Sequence, residues 1–181
     1  MRKIHIIVPA LLAISSFSVS AMELGGEVGQ QHLQLKAATT TEDNGLIYNA
    51  SWTKNFQDGP NVGGAGVDYQ LSYDFAKFHA GIKTLYIAPK KGDNGFAVPF
   101  GGGVDIPVND SINIYGESYV APRGLNNAVE NYVEVDAGVA WKASTNMKVN
   151  VGYRYMGVNG KSSTPNHTLL DGAYIGSSLS F

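Results

Sequence analysis

The last eleven residues, 171–181, alternate between two kinds of side chain and constrain the fold more than any other stretch. One parity reads Ala173, Ile175, Ser177, Leu179 and Phe181, and the other is small or polar. This period of two is typical of a half-buried strand. It predicts either the last strand of a soluble sandwich or the closing strand of an outer-membrane barrel. In a barrel, the assembly machinery would read an end signal formed by Tyr174, Ile175, Leu179 and Phe181.

The same alternation recurs in short segments from residue 45 onward, with turn residues between them and no helical periodicity. Longer polar loops at 57–61, 89–95, 122–130 and 158–170 are separated by tighter turns at 74–77, 108–110 and 143–146. Long outer loops and short periplasmic turns are typical of outer-membrane barrels. Pro99 falls inside one segment, where we expect a β-bulge because proline cannot donate to a ladder.

The two faces of these segments favour a membrane barrel over a soluble one. Charged residues make up only 15% of the chain, and the polar parity is rich in Gly, Ser and Asn, which suits a narrow lumen. A secreted barrel of lipocalin type would invert the faces and carry more surface charge. The apolar parity carries aromatic residues near segment ends, as interfacial girdles do: Trp52, Tyr73, Tyr86, Trp141 and Tyr155. We therefore predict an all-β, antiparallel, up-and-down transmembrane β-barrel.

The strand count depends on the N-terminal region. Eight alternating segments run from residue 45 to residue 181, and 23–38 forms one more. A barrel with both termini in the periplasm needs an even number of strands. Either 23–38 lies outside the wall, which gives eight strands, or it bends near Gly29, which gives ten. We favour eight.

The first 21 residues are predicted to be a signal peptide. Arg2 and Lys3 form a basic start, an apolar core spans 4–14, and small residues lead to a cleavage site after Ala21. The apolar core is too short for a spanning helix. Residues 22–181 then form a single barrel domain that is exported to the bacterial outer membrane.

A set of charged residues shares the inward parity: Asp68, Lys83, Asp105, Glu117, Glu134, Asp136, Lys142, Lys148 and Arg154. Directly opposed residues of adjacent strands must face the same way, so a three-residue turn at 144–146 sets Arg154 against Asp136. A five-residue turn sets Arg154 against Glu134 instead. Mixed charges in a narrow lumen are costly unless paired. We therefore favour a salt-bridged plug over an open, charge-lined pore, although ten strands would make the two nearly equal.

Several stretches resemble the YfaZ family. They are the run 115–117, the segment from Glu134 to Trp141, the strand 151–155, the end 171–181 and Leu85-Tyr86 before an acidic-glycine loop. The resemblance covers most of the chain after residue 21 and is densest from 95 to 181. It implies an outer-membrane barrel of Gram-negative bacteria, and such proteins are sometimes labelled as porin candidates. These motifs are structural, so the resemblance implies no reaction.

No pattern predicts a catalytic, cofactor or metal site. His167 lies near Ser162, Ser163 and Asp171, but a catalytic triad is recognised by geometry and loops are rich in such residues. The expected partners are membrane lipids and the barrel-assembly machinery, without nucleic acid, and the expected state is a monomer. Three function classes remain: a narrow porin-like channel, a structural or adhesive barrel that acts through its loops, and, as the least favoured, a lipid-modifying enzyme.

Overall fold

The computed structural model describes residues 21–56, 61–88, 94–126, 131–159 and 167–181, apart from the side chains of Asn159 and His167. Among these residues no helix is long and apolar enough to cross a membrane. The regular structure is a series of strands: β1 (Met22–Gly29), β2 (His32–Thr39), β3 (Gly45–Asn55), β4 (Asn61–Tyr73), β5 (Ala76–Ala88), β6 (Gly95–Ala97), β7 (Phe100–Asn109), β8 (Ile112–Ala121), β9 (Asn131–Lys142), β10 (Met147–Asn159) and β11 (His167–Ser180).

These strands form one closed antiparallel wall. Each wall strand pairs with the next along the chain, and β11 pairs with β1 from Glu23↔Ser180 to Gly29↔Tyr174. Both β6 and β7 pair with β5 and together form one wall strand, so the barrel has ten wall strands. The all-β barrel is confirmed, but the preference for eight strands is wrong and the alternative of ten is correct.

The two additional strands come from the segment 23–38, which reverses direction just after Gly29. Gln30 and Gln31 connect β1 to β2, and the pairs Val28↔Leu33 and Met22↔Thr39 mark the two ends of the hairpin. Two-residue hairpin turns usually contain Asn-Gly or Asp-Gly, which makes them recognisable in a sequence. A Gln-Gln turn carries no such signal, and Gly29 just before it was the only cue for the bend that the ten-strand alternative placed there.

Pro99 interrupts a wall strand without changing its register. The pairs Leu85↔Ala97 and Ile82↔Phe100 lie on either side of the interruption and belong to one continuous alignment, so no extra residue is inserted. The expected bulge is therefore wrong. Proline has no N–H to donate, but its carbonyl still serves the ladder, because the Lys83 amide donates to the Pro99 oxygen at 2.8 Å.

The two ends of the barrel differ. At the terminal end, Met22 and Phe181 exchange two backbone hydrogen bonds of 3.2 and 2.9 Å. The tight turns predicted for 74–77, 108–110 and 143–146 all lie at this end. The opposite end, which we call the loop end, carries the longer connections, whose residues 57–60, 89–93, 127–130 and 160–166 lie outside the described part of the chain.

The alternation of each strand separates a lipid-facing surface from the lumen. Large apolar side chains point outward around the wall; Val28 on β1, Val151 on β10 and Ile175 on β11 are each more than half exposed. Polar and charged side chains point inward, where Glu27, Asp136 and Arg154 are almost fully buried. This arrangement, apolar outside and polar inside, is that of a membrane barrel.

Candidate functional site

A layer of buried polar side chains crosses the middle of the lumen, centred on Arg154 of β10. Arg154 is only 1% exposed. Its Nη1 donates to Glu27 Oε2 on β1 at 2.7 Å and to Gln34 Oε1 on β2, and its Nη2 donates to Asp136 Oδ2 on β9. One guanidinium thus connects three other strands. Of the two registers considered from the sequence, the structure has the one that opposes Arg154 to Asp136.

Two further side chains complete this Arg154 layer, which comprises Glu27, Gln34, Lys36, Asp136, Arg154 and Tyr174. Lys36 Nζ lies 2.6 Å from Glu27 Oε1, and the Tyr174 hydroxyl donates to Asp136 Oδ1 at 2.7 Å. The Tyr174 ring also lies beneath the guanidinium, 4.9 Å from its Cζ. The layer holds two cations and two anions, so the charges balance and each ion has a partner of opposite sign within hydrogen-bond distance.

A second group of polar side chains lines the facing wall, on β3, β4, β5, β8 and β9. Asp68 accepts hydrogen bonds from Asn49 Nδ2 and from the Tyr119 hydroxyl, each at 2.6 Å. Lys83 Nζ lies 3.5 Å from the centroid of the Tyr119 ring and bridges Glu117 and Glu134 at 3.6 and 3.7 Å. This Lys83 group and the Arg154 layer together carry most of the predicted lumen charges.

Small residues make room for these side chains. A Cβ at Gly138 would lie 2.4 Å from the Tyr115 hydroxyl, and a Cβ at Gly152 would lie 2.6 Å from the Tyr174 hydroxyl. The two hydroxyls are 2.7 Å apart and share one hydrogen bond. The glycines of the polar parity therefore have a packing role, because larger residues would displace the tyrosines that support Asp136.

Above the polar layer, the loop-end half of the lumen is filled by apolar side chains. This apolar layer consists of Val62, Leu85, Ile87, Ala97, Ala121, Tyr132, Met156, Val158, Leu169 and Leu170, each at most 7% exposed. The Tyr132 hydroxyl is the polar contact at its lower edge and donates to Glu134 Oε2 at 3.0 Å. This apolar interior differs from the expectation, in which the inward parity is polar along the whole lumen.

Below the Arg154 layer, a cavity of about 230 Å³ occupies the terminal half of the lumen. Its lining is charged and small: Glu23, Gly25, Gly26, Glu27, Lys36, Ala38, Asp105, Tyr115, Ala140, Lys148, Asn150, Ser177 and Ser178. Lys148 pairs with Glu23 at 2.9 Å, which offsets the opposed Lys142, and Asp105 accepts from Asn113 at 2.6 Å. At the rim, Lys77 donates to the exposed Glu42 and holds the pKa of that carboxyl below its usual value.

The predicted lumen residues therefore lie in three places. Arg154 and Asp136 lie in the centre of the Arg154 layer. On the facing wall, the Lys83 group contains Asp68, Lys83, Glu117 and Glu134. Asp105 and Lys148 line the terminal cavity. Glu27, Gln34 and Lys36 are not among the predicted lumen residues, because the sequence left open whether 23–38 belongs to the wall. The alternation of the two strands was the available signal. It places Glu27 on the same face as Glu23, and Gln34 and Lys36 on the same face as His32.

The predicted girdle residues all lie on the outer face, between 39% and 54% exposed: Trp52, Tyr73, Tyr86, Trp141 and Tyr155. Ile175, Leu179 and Phe181 of the predicted end signal also face outward, at 58%, 47% and 69%. Tyr174 does not share that face, because it points into the lumen and is 4% exposed. Its neighbours give it a place in the Arg154 layer, and the part of any of these residues in assembly stays a prediction.

The serine and histidine side chains of the considered triad, Ser162, Ser163 and His167, lie outside the described part of the chain. Asp171 faces outward and accepts a hydrogen bond from Tyr153. In the ranges that the structure describes, no group of three or more His, Asp or Glu side chains could hold a metal ion.

The fold and its interior define the class: this is a ten-stranded transmembrane β-barrel whose lumen is crossed by layers of its own side chains. A family model described as "YfaZ precursor" matches residues 1–181. "Outer membrane protein YfaZ" of Escherichia coli (strain K12) is 32% identical over 181 residues, which is the full length of both chains. The chain belongs to the YfaZ family. The predicted outer-membrane location is thereby confirmed, and the word precursor agrees with a signal peptide, although the cleavage site stays a prediction.

Two solved porins are similar in fold at low sequence identity. The NanC porin is 12% identical, with 89% of this chain and 98% of that chain covered and a TM-score of 0.49. The KdgM porin is also 12% identical, with 89% and 99% covered and a TM-score of 0.45.

Proposed function

We propose that this chain is a narrow, porin-like channel of the outer membrane whose lumen is closed at rest by its own side chains. The proposal rests on the position of the cavity, which is open toward the terminal end and closed by the Arg154 layer. A charged cavity of about 230 Å³ opens into the lumen from the terminal end and stops at the Arg154 layer. A purely structural barrel does not need such a cavity, whereas a channel needs a polar entrance.

The closure is polar in the middle and apolar toward the loop end. The polar groups of the Arg154 layer lie within short distances of alternative partners, so small movements suffice to rearrange them. Lys36 already lies 3.8 Å from Asp136 as well as 2.6 Å from Glu27. The apolar layer above it excludes water and ions, as hydrophobic constrictions do in gated channels. Conduction therefore requires movement of both layers.

The remaining roles are part of the same proposal. The apolar outer face surrounds the wall, which supports a monomer with membrane lipids as its direct neighbours. Insertion by the barrel-assembly machinery is proposed from the outward row of Ile175, Leu179 and Phe181. We assign the chain no catalytic residue and no cofactor, and we do not propose an enzyme.

Single-channel recording tests the proposal. The chain starting at Met22, refolded in detergent and inserted into planar bilayers, should be closed for most of the time. A variant with Arg154→Gly, Asp136→Gly and Tyr132→Gly removes large side chains from both layers and leaves the Glu27–Lys36 pair in place. We expect a steady current from this variant.

A matched control changes outward residues of the same two strands. Tyr153→Gly, Val135→Gly and Val133→Gly alter β9 and β10 on the lipid side and should leave the current unchanged. Steady conduction by the unaltered chain would contradict closure at rest. Silence of the opened variant, when heat-modifiable gel mobility shows that it is folded, would contradict the channel and favour the structural or adhesive barrel.

A further inference from the structure

Two cations of the lumen each lie against a tyrosine ring and a carboxylate at once. Lys83 Nζ lies 3.5 Å from the centroid of the Tyr119 ring and 3.7 Å from Glu134, which is directly opposite Tyr119 in the ladder between β8 and β9. Arg154 Cζ lies 4.9 Å from the centroid of the Tyr174 ring, and its guanidinium bonds to the carboxylates of its layer. The carboxylate balances the charge, and the face of the ring adds a cation–π attraction. This lumen therefore holds its inner cations by combining the two groups.

Asp105 and Tyr115 form a third pair of a carboxylate and a tyrosine, nearer the terminal end. They are directly opposed in the ladder between β7 and β8, as Glu134 and Tyr119 are in the next ladder. Directly opposed residues face the same way, with Cβ atoms about 5 Å apart. Both residues line the terminal cavity of about 230 Å³. The carboxylate and the ring therefore border the same open space.

Among the described residues, no cation forms an ion pair with Asp105. Its hydrogen bond comes from Asn113 Nδ2 at 2.6 Å, and an amide is a neutral donor. Lys77 is directly opposite Asp105 on β5, but its ammonium lies 3.1 Å from the exposed Glu42 at the rim. The Asp105–Tyr115 pair thus differs from the two inner pairs, because the wall brings no cation to it.

The charges of the cavity lining are unbalanced for the same reason. Lys36 pairs with Glu27 at 2.6 Å, and Lys148 pairs with Glu23 at 2.9 Å. The lining therefore contains two ammonium groups and three carboxylates, and Asp105 is the carboxylate in excess. A charge in a narrow lumen is costly without a partner, and a cleft with an excess of one sign concentrates ions of the other. The terminal cavity consequently favours a positively charged solute.

We propose that the terminal cavity binds a small organic cation, with its ammonium or guanidinium group between the Asp105 carboxylate and the Tyr115 ring. The remainder of the solute lies beside the polar side chains of Asn150 and Ser178, which also line the cavity. The binding site deepens the proposed function and rests on it for its meaning, because it names the class of solute that enters the channel. Binding itself requires no conduction.

Protection of a thiol inside the cavity tests this site. Ala140 lines the cavity, so the rate at which iodoacetamide, a neutral reagent, labels folded Ala140→Cys reports its occupancy. We expect n-butylammonium chloride to slow the labelling in a saturable manner. Sodium chloride at the same ionic strength, n-butanol and sodium butyrate should not slow it.

Two variants of the Ala140→Cys barrel assign this protection to a single carboxylate. Asp105→Asn should raise the half-protecting concentration of n-butylammonium at least about tenfold, because a charge-assisted contact is lost. The matched control is Asp110→Asn, which changes an exposed carboxylate in the turn between β7 and β8 and should leave the protection unchanged.

A third variant tests the ring. Tyr115→Leu removes the aromatic face and should raise the half-protecting concentration several-fold, with heat-modifiable gel mobility showing that the barrel is folded. Equal protection in folded Tyr115→Leu would overturn the role of the ring.

Three results would overturn the site as a whole. They are equal protection by sodium chloride, which would show screening alone, protection by butyrate in place of n-butylammonium, and unchanged protection in folded Asp105→Asn. Silence of the opened variant together with protection that depends on Asp105 would contradict the channel and leave the site standing. Conduction by the opened variant without any protection would contradict the site alone.

Discussion

At the scale of single residues, Arg154 decides whether the lumen is stable. Transfer of a charge into a buried site costs several kcal/mol unless partners replace water. Arg154 has such partners on three other strands, and their carboxylates are themselves almost fully buried. Removal of one member therefore leaves others without compensation, and its effect should be far larger than that of a charge at the rim.

We expect Arg154→Met to lower the free energy of unfolding by about 3–5 kcal/mol, because Glu27 and Asp136 lose their shared cation. Adding Asp136→Asn and Glu27→Gln should restore part of this loss. The matched control is Lys148→Met; the Lys148 side chain is 42% exposed and pairs with Glu23, so its loss should cost less than about 1 kcal/mol. Thermal and urea unfolding in detergent measure these changes. Similar losses in the two methionine variants would show that Arg154 is not buried in an ion-pair layer.

At the scale of elements, β11 closes the wall and carries the predicted end signal. Its outward residues Ile175 and Leu179 are apolar, and Phe181 exchanges backbone hydrogen bonds with Met22. Phe75, in the turn between β4 and β5, is a matched aromatic at the same end of the barrel, with 67% exposure against 69% for Phe181. Substituting each of these two residues therefore distinguishes an assembly signal at Phe181 from the mere exposure of an aromatic ring.

We expect Phe181→Ser to reduce the amount of folded protein in outer-membrane fractions several-fold, because the assembly machinery loses its terminal contact. Phe75→Ser should change it little. Heat-modifiable mobility on gels measures the folded fraction. If both variants assemble equally well, Phe181 is only one exposed aromatic among many.

The strands show what sequence alone can predict. Alternation fixed the faces of β3 to β11, because a one-residue error would place Arg154 or Asp136 in lipid. It narrowed the register of β9 against β10 to two turn lengths, and the structure has the one that opposes Arg154 to Asp136. It left the β1–β2 turn, with its bend near Gly29, as one of two alternatives and did not place the partners of Arg154 on those strands. The apolar layer was missed for another reason: Leu85, Tyr132 and Leu170 face inward near the loop end, where the filling of the lumen depends on three-dimensional neighbours.

At the scale of the whole molecule, the chain is an exported protein that becomes a barrel. The basic start and short apolar core predict removal of residues 1–21. Protein extracted from outer membranes should therefore have the mass of a chain that begins at Met22, which is also where β1 begins. A folded membrane fraction with the full-length mass would contradict export by a cleaved signal peptide.

The central claim is that water reaches the lumen from the terminal end and stops at the Arg154 layer. Because the chain contains no cysteine, single substitutions can report water access without background. Ala38→Cys and Ala140→Cys place a thiol in the cavity, whereas Ala121→Cys places one in the apolar layer, where Ala121 is 0% exposed. We expect a small, charged thiol reagent to label the first two rapidly in the folded barrel and to leave the third unlabelled until denaturation. Rapid labelling of Ala121→Cys in the folded protein, at the rate seen for Ala38→Cys, would show a lumen open from end to end and contradict the account.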